Sequence, residues 1–497
     1  MDSCIVKTKY GSVKGEHNQG VYVWRGIPYA TAPKGDLRFK PPMPPESWEG
    51  ELETLQFGPA CPQGNRIAKR AIIRNVSEDC LTLNIWSSST NTKKKPVFFF
   101  IHGGAFVEGA GSDAEYEGTK LVAAGDIVFV TVNYRLGLLG FMDFSVLDED
   151  FYPNCGLRDI VMALKWTFDN IEAFGGDKDN ITVGGQSAGA CCAEVLPMFD
   201  EVRGYIKRVI MMSAVPTLIA SREAAKKTAK SFLDFAGIED AESLKTMPVD
   251  DLVRQRSEFA QQSGLGVAAF GICVDRELVK NYPILAAKEG MMRDIPMLFG
   301  TTREEMSFVF NKSLSHIIDI KRIYESGTSV ESEDVKKRIQ DSYARYGKRG
   351  PIMLFSDFTF RIPSVWFASS QSKFANTWMY RFDFETLGML ISGMHAFHSS
   401  DVPFLFGNFD VGLAKLMVSI SLIKKKIKKV HHEFRDDLLT FIKTGELPWE
   451  KCANDNTPAK CFNTQSSIEP AVPDEIKRAY EDTEYWRRTF NGEDIEL

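Results

Sequence analysis

A chain of 497 residues is long enough for two or three ordinary domains, or for one large decorated α/β core. Its 44% hydrophobic and 25% charged residues are usual for a soluble globular protein, and a net charge of −6 gives no electrostatic reason to expect nucleic acid as a partner. No apolar run approaches the ~20 residues that a membrane-spanning helix needs.

Met1 to Tyr10 carry Asp2, Lys7 and Lys9 and no apolar h-region, so a secretory signal is not expected and the cytoplasm is the expected compartment. The nine cysteines include no CxxC pair. Cys61 and Cys80 close a short loop, as do Cys452 and Cys461; either pair could be bridged in an oxidising compartment, with reduced thiols as the default. Val6 to Gly15 and Gly20 to Tyr29 predict a strand pair, after which Pro28, Pro33, Pro41, Pro42, Pro44 and Pro45 force an extended path. Leu81 to Trp86 alternates as a half-buried strand would. The apolar runs Val97 to Ile101, Ile127 to Val132 and Val209 to Met212, separated by helical patterns such as Ile160 to Phe174, predict strands buried on both faces of a mainly parallel sheet. No repeat or low-complexity linker divides the chain, which reads as a single α/β domain over residues 1–497.

Ser221 to Lys288 and Ser313 to Tyr346 read as helical insertions. Leu413 to Ile423 is apolar and runs into Lys424-Lys425-Lys426-Ile427-Lys428-Lys429. Such a charge run is ordinarily a solvated helix end, and its other reading is peripheral contact with an anionic membrane.

Chemistry enters at Ile181-Thr182-Val183-Gly184-Gly185-Gln186-Ser187-Ala188-Gly189-Ala190. A β-type run meets Gly-x-Ser-x-Gly and a small-residue helix start, which is the pattern of a nucleophile elbow. The glycines are needed because the tight turn leaves no room for side chains at Gly185 and Gly189. Serine is a poor nucleophile until a positioned base takes its proton, the base needs an orienting carboxylate, and the oxyanion needs backbone donors. Ile101-His102-Gly103-Gly104-Ala105-Phe106 follows an apolar strand directly, as an oxyanion loop does. The N–H groups of Gly104, Ala105 and Ala188 are the expected donors; the bland reading of the loop is a glycine turn. Cys191 and Cys192 read as packing.

Further motifs stand at Arg25-Gly26-Ile27-Pro28-Tyr29-Ala30, Gly35-Asp36-Leu37-Arg38-Phe39, Ser77-Glu78-Asp79-Cys80-Leu81-Thr82-Leu83-Asn84, Asn133-Tyr134-Arg135-Leu136-Gly137 and Phe174-Gly175-Gly176-Asp177. With the elbow, they make the chain resemble the type-B carboxylesterase and cholinesterase family of α/β-hydrolases from about Val6 to Trp449. The resemblance implies a central, mostly parallel sheet flanked by helices with helical insertions, structural ion pairs Arg38–Glu78 and Arg135–Asp159, and a serine hydrolase with a Ser-His-Glu triad. In its register the acid is Glu305, usually followed by glycine where Met306 stands here; Glu304 is the adjacent competitor, read as a surface carboxylate. The family histidine lies three residues before an acidic residue, in a segment ending near Phe-x-Phe-Gly. His398-Ser399-Ser400-Asp401-Val402-Pro403-Phe404-Leu405-Phe406-Gly407 fits and His395 does not. His17, His102, His316, His431 and His432 read as structural.

The implied chemistry is acyl transfer through a covalent intermediate, which needs no metal or cofactor. Cholinesterases of the family carry glutamate before the serine and a tryptophan in the loop corresponding to Cys61–Cys80. Here Gln186 precedes Ser187 and that loop has no tryptophan, so a small neutral ester is the expected substrate. One rival is acyl transfer to a sugar or other alcohol; another is a catalytically silent adhesion protein of the same fold. Asp494-Ile495-Glu496-Leu497 resembles variant endoplasmic-reticulum retention tetrapeptides, which makes that lumen the alternative compartment. Asn75-Val76-Ser77, Asn180-Ile181-Thr182 and Asn311-Lys312-Ser313 fit the glycosylation sequon.

Overall fold

The computed structural model describes residues 4–64, 75–90, 94–263, 266–310, 320–329, 331–419 and 424–483. The Asp494–Leu497 tetrapeptide, the Asn311 sequon, His316 and the middle of the Cys61–Cys80 loop lie outside the described residues.

Alternating side chains build the core from the sheet outward. In the run Lys95–Ile101, Val97, Phe99 and Ile101 join one buried cluster while Phe98 and Phe100 join another. Val128, Val130 and Val132 lie on the first face and Phe129 on the second; Val209 and Met211, then Ile210 and Met212, repeat the split. A period of two with both sets apolar is what a strand covered on both faces requires.

The strands in chain order are β1 (Ile5–Lys7), β2 (Ser12–Lys14), β3 (Glu16–Asn18), β4 (Val21–Pro28), β5 (Glu51–Glu53), β6 (Thr82–Ser87), β7 (Lys95–Ile101) and β8 (Val128–Val132). They continue as β9 (Gly176–Gln186), β10 (Ile206–Met212), β11 (Ile219–Ser221), β12 (Ile272–Val274), β13 (Met297–Thr302), β14 (Thr377–Phe382), β15 (Pro458–Phe462) and β16 (Ser467–Pro470). An 11-stranded sheet runs β16-β15-β14-β13-β10-β9-β7-β8-β6-β4-β3. Pairing is parallel from β8 through β15 and antiparallel at the two margins. Helices used below are α1 (Cys155–Asn170), α2 (Ala188–Val195), α3 (Arg222–Ala236), α4 (Ala241–Thr246), α5 (Val249–Gln262), α6 (Ile320–Gly327), α7 (Glu333–Ser342), α8 (Leu387–Ile391), α9 (Gly412–Ser419) and α10 (Lys424–Thr444). Leu157, Ile160, Val161 and Leu164 of α1 cover one face, and Val430, Phe434, Leu438 and Ile442 of α10 cover the other. The chain is an α/β-hydrolase fold, its large sheet flanked by helices.

Three sequence expectations change. Val6 to Gly15 is not one strand: β1 and β2 form their own antiparallel hairpin, extended by β5, while β3 and β4 join the main sheet. Leu81 to Trp86 is buried throughout rather than half-buried. Its polar members are satisfied inside: Asn84 accepts from the Gly26 N–H at 2.9 Å and donates to the Thr131 hydroxyl at 2.9 Å. The segment Ser221 to Lys288 is mostly helical, through α3, α4 and α5, but begins and is interrupted by the paired strands β11 and β12. In the Ser313–Tyr346 stretch, α6 and α7 form as expected within the described part.

Arg135 and Asp159 form a buried bidentate pair, Nε to Oδ2 at 2.8 Å and Nη2 to Oδ1 at 2.6 Å, with side chains 2% and 0% exposed. Arg38 grips Glu78 through two 2.7 Å bonds and also donates to the carbonyls of Leu244, Lys245 and Met247, so it ties α4 to the N-terminal section. Asp159→Ala leaves the Arg135 guanidinium without its counter-ion in the core and is expected to cost about 3–5 kcal/mol. Equilibrium denaturation reads this directly; a loss below about 1 kcal/mol, the scale of an exposed pair, would contradict it.

Candidate active site

At the end of β9 the chain turns into α2 through Ser187, whose backbone sits at φ 57° and ψ −126°. An L-residue rarely holds such angles unless its surroundings force it. The glycines show why the turn closes: a Cβ on Gly185 would lie 2.3 Å from the Gly189 carbonyl group, and one on Gly189 2.1 Å from the Ile101 oxygen. The Ser187 N–H donates to the Met212 carbonyl at 2.8 Å, which pins the turn to the end of β10.

The loop after β7 lies against this elbow. A Cβ on Gly103 would come within 2.6 Å of the Gln186 carbonyl and 3.1 Å of Ser187 Cβ. Gly104, Ala105 and Phe106 all have positive φ (125°, 53° and 62°), and the Gly104 carbonyl accepts from Val107 and Glu108 at 3.0 Å each. The backbone N–H groups of Gly104, Ala105 and Ala188 donate to no group among the described residues. For Ala188 this follows from its place in the first turn of a helix. His102 is buried, with its Nδ1 2.8 Å from the Gly103 carbonyl and its ring stacked on Tyr134 at 4.4 Å, as a packing residue would be.

Glu305 follows β13 and is fully buried. Its Oε1 accepts from the Ser213 hydroxyl at 2.8 Å and the Thr302 N–H at 2.7 Å, and its Oε2 lies 2.7 Å from His398 Nδ1. A carboxylate only accepts, so the hydrogen bond assigns the proton to Nδ1 and makes Nε2 of His398 the accepting nitrogen of the ring, the one that can act as a base. Nε2 lies 3.2 Å from the side-chain amide of Gln186, the residue before Ser187; that amide also donates to the Ser399 hydroxyl at 2.9 Å. The imidazole sits against the rings of Phe360 and Phe308, at 5.0 and 6.1 Å, and is 15% exposed. Beneath it Asp401 is buried and accepts from the Tyr380 hydroxyl at 2.7 Å; burial pushes its carboxyl up to about 6, and the nearby Glu305 carboxylate adds to the shift.

Glu304 is a correction. It is fully buried rather than a surface carboxylate, and it faces away from the triad into a charge cluster. Its carboxylate meets the guanidinium groups of Arg303 and Arg349; Arg303 also pairs with Glu385, which lies 3.1 Å from His395 Nδ1. Ligand atoms of Glu304, Glu385 and His395 come within 4.8 Å of one another, a spacing a cation could use, but the two arginines already supply the positive charge. His395 thus belongs to this cluster. Cys61 and Cys80 are free thiols rather than a disulfide, in hydrogen-bond contact, and that contact with burial raises the Cys80 thiol far above its usual range. Cys452 and Cys461 are free as well. Asn180 of the second sequon accepts from Arg208 at 2.6 Å.

Ser213 escaped the sequence reading, and nothing local marks it. It becomes visible only once β10 is known to lie between β9 and β13, with Met212 opposite both Gln186 and Gly300. Three neighbouring strand ends then present Ser187, Ser213 and Glu305 at one edge of the sheet, where α/β enzymes place their chemistry.

The carboxylesterase family model matches residues 2–485. The para-nitrobenzyl esterase of Bacillus subtilis (strain 168) is 36% identical over 470 residues, which cover 93% of this chain and 94% of that protein. Neuroligin-2 of Homo sapiens is 30% identical over 484 residues, covering 83% of this chain and 57% of that protein. Among solved structures, a thermophilic PNB esterase superposes with a TM-score of 0.87 at 34% identity, covering 96% of this chain and 100% of that one.

Proposed function

From the chain's membership of the carboxylesterase family, and its consequent activity as a carboxylic ester hydrolase, we propose that Ser187, His398 and Glu305 form the catalytic triad and that Gly104, Ala105 and Ala188 form the oxyanion hole. What carries the reading is the His398 imidazole, held at 2.7 Å by a buried carboxylate on one side and facing the elbow on the other.

Neutral His398 accepts the Ser187 hydroxyl proton at Nε2 while Oγ bonds to the ester carbonyl carbon. The carbonyl electron pair moves onto oxygen, where the three backbone N–H groups stabilise it. Glu305 stays ionised and stabilises the imidazolium. As the intermediate collapses, the bond to the leaving oxygen breaks and His398 returns the proton to that oxygen, releasing the alcohol. Water then attacks the acyl-serine with His398 again as base, which frees the acid and restores Ser187. Thr302 and Ser213 act earlier in the chain of support: by donating to Oε1 they leave Oε2 to the imidazole.

The substrate we propose is a neutral ester. Gln186 puts an amide, not a carboxylate, beside the base, so a quaternary ammonium finds no negative charge there. A choline ester and its uncharged 3,3-dimethylbutyl isostere differ in charge alone. The neutral ester is expected to have a kcat/KM at least about ten-fold higher, and Gln186→Glu to narrow the gap. Equal rates on the pair would refute neutral preference. Product analysis of the same reactions with an added sugar or alcohol acceptor should give free acid as the main product; a dominant acceptor ester would instead make the enzyme an acyltransferase.

A further inference from the structure

Glu305 sits on a turn, and one irregular stretch of helix grips that turn. The helical segments Gly350–Ser356, Asp357–Arg361 and Ile362–Gln371 follow one another with helical dihedral angles at both junctions. The middle one is a π turn, in which the Ile362 N–H donates to the Asp357 carbonyl five residues back. Pro363 accounts for the wider turn: it has no N–H to offer the Thr359 carbonyl four residues before it, so the α-helical ladder is broken there. Single π turns inside helices are frequent at functional sites.

The extra residue decides what faces the acid. On an α-helix, residues five apart point about 140° away from each other. Here Ser356 and Arg361 both reach the stretch from Thr301 to Met306. The Ser356 hydroxyl accepts from the Met306 N–H at 3.0 Å, while Arg361 Nη2 donates to the Thr302 and Arg303 carbonyls at 2.9 and 2.8 Å. Glu305 lies between these anchors. Thr302 is also the residue whose N–H holds Glu305 Oε1, and the Glu305 carbonyl accepts at 3.2 Å from the N–H of His398, on the segment that follows α8. A shift of this turn would change how the carboxylate meets the imidazole.

The Arg361 and Asp357 side chains are 2% and 1% exposed and paired, and Asp357 accepts at 3.0 Å from the hydroxyl of Tyr343, just after α7. A buried ion pair is often no more stabilising than apolar residues of similar volume, so stability alone is a weak reason for it. A forked guanidinium does what an apolar side chain cannot. It holds two neighbouring carbonyls at once, while Asp357 holds the fork.

We propose that Arg361 is a positioning residue of the reaction: presented by the π turn, it fixes the Thr302–Arg303 backbone so that Glu305 meets Nδ1 of His398. This rests on Glu305 being the acid of the triad. Arg361 acts through the backbone, since its hydrogen bonds go to Thr301, Thr302, Arg303 and Asp357 and none to Glu305 or His398.

The test uses the full-length protein and a short water-soluble ester. Asp357→Asn, Arg361→Met removes both charges, so no buried charge is left unpaired. Its kcat is expected to fall about a hundred-fold with KM within about two-fold of wild type, the effect of a catalytic group displaced by about 1 Å. In a Glu305→Gln background the same change should cost less than about three-fold, because the acid no longer orients the base there. Arg361→Lys is the second probe, and it decides alone if the paired variant does not fold. It keeps a charge for Asp357, but one ammonium cannot fork across two carbonyls, so kcat should fall about ten-fold with KM unchanged. Wild-type kcat in either variant, a loss carried by KM, or the same loss with and without Glu305→Gln would overturn the proposal and leave Arg361 a packing anchor. Full activity in Glu305→Gln alone would instead strike the assignment of the acid.

Discussion

Ser187→Ala is expected to lower kcat on a short activated ester by about a million-fold and to abolish labelling by an organophosphorus probe, with the fold unchanged. The loss is large because without Oγ there is no acyl-enzyme, and His398, Glu305 and the oxyanion loop are left with only the slow attack of water to assist. Stability should hold because the elbow is fixed by backbone: the Ser187 N–H to Met212 and the close packing of Gly185 on Gly189 both survive the change. The unfolding free energy should therefore change by less than about 0.5 kcal/mol. His398→Ala should cost about as much, and the double variant no more than either single one, since the two act as a unit. Additive losses, or labelling that persists in Ser187→Ala, would remove Ser187 from the reaction.

Much of this site could be read before the fold was known, because its backbone demands leave marks. Gly185, Gly189 and Gly103 occupy places where a Cβ would collide, so the elbow and its facing loop are written as glycine patterns. The buried parallel strands β7, β8 and β10 announced themselves as apolar runs for a similar reason: both faces are covered. What was hidden depends on long-range pairing. Ser213 and Glu305 are 92 residues apart and meet only because β10 and β13 are neighbours. Likewise β14, β15 and β16 carry Arg381, Lys460 and Glu469 among their apolar residues. These charges find partners across strands and helices, Arg381 with Asp383 and Glu469, Lys460 with Asp437, so no simple period marks them as strands. Glu304 misled in the opposite sense. Adjacent carboxylates look equivalent in a sequence, and only Arg303 and Arg349 explain how the first of them can be buried.

That pair supplies the other large effect, in which two isosteric changes one residue apart should fail in different ways. Glu305→Gln is expected to lower kcat by about ten-thousand-fold with little change in KM or stability. The Ser213 hydroxyl and the Thr302 N–H both donate to one oxygen of the side chain, so a glutamine must keep its carbonyl oxygen there and turn its NH2 toward His398. An NH2 donates, which makes Nδ1 an acceptor and moves the imidazole proton to Nε2, the atom that must be bare to take the proton from Ser187. The base is then present, positioned and in the wrong tautomer. Glu304→Gln leaves this arrangement intact but strips the carboxylate from between Arg303 and Arg349. Those side chains are 26% and 40% exposed, so water screens much of the loss, and about 1–2 kcal/mol of stability should disappear with kcat changed only several-fold. Measuring kcat and the denaturation midpoint for both variants separates the two roles. Equal losses of kcat would mean that the acid of the triad has been assigned to the wrong carboxylate, because a hydrogen bond to Nδ1 can be supplied by only one of them.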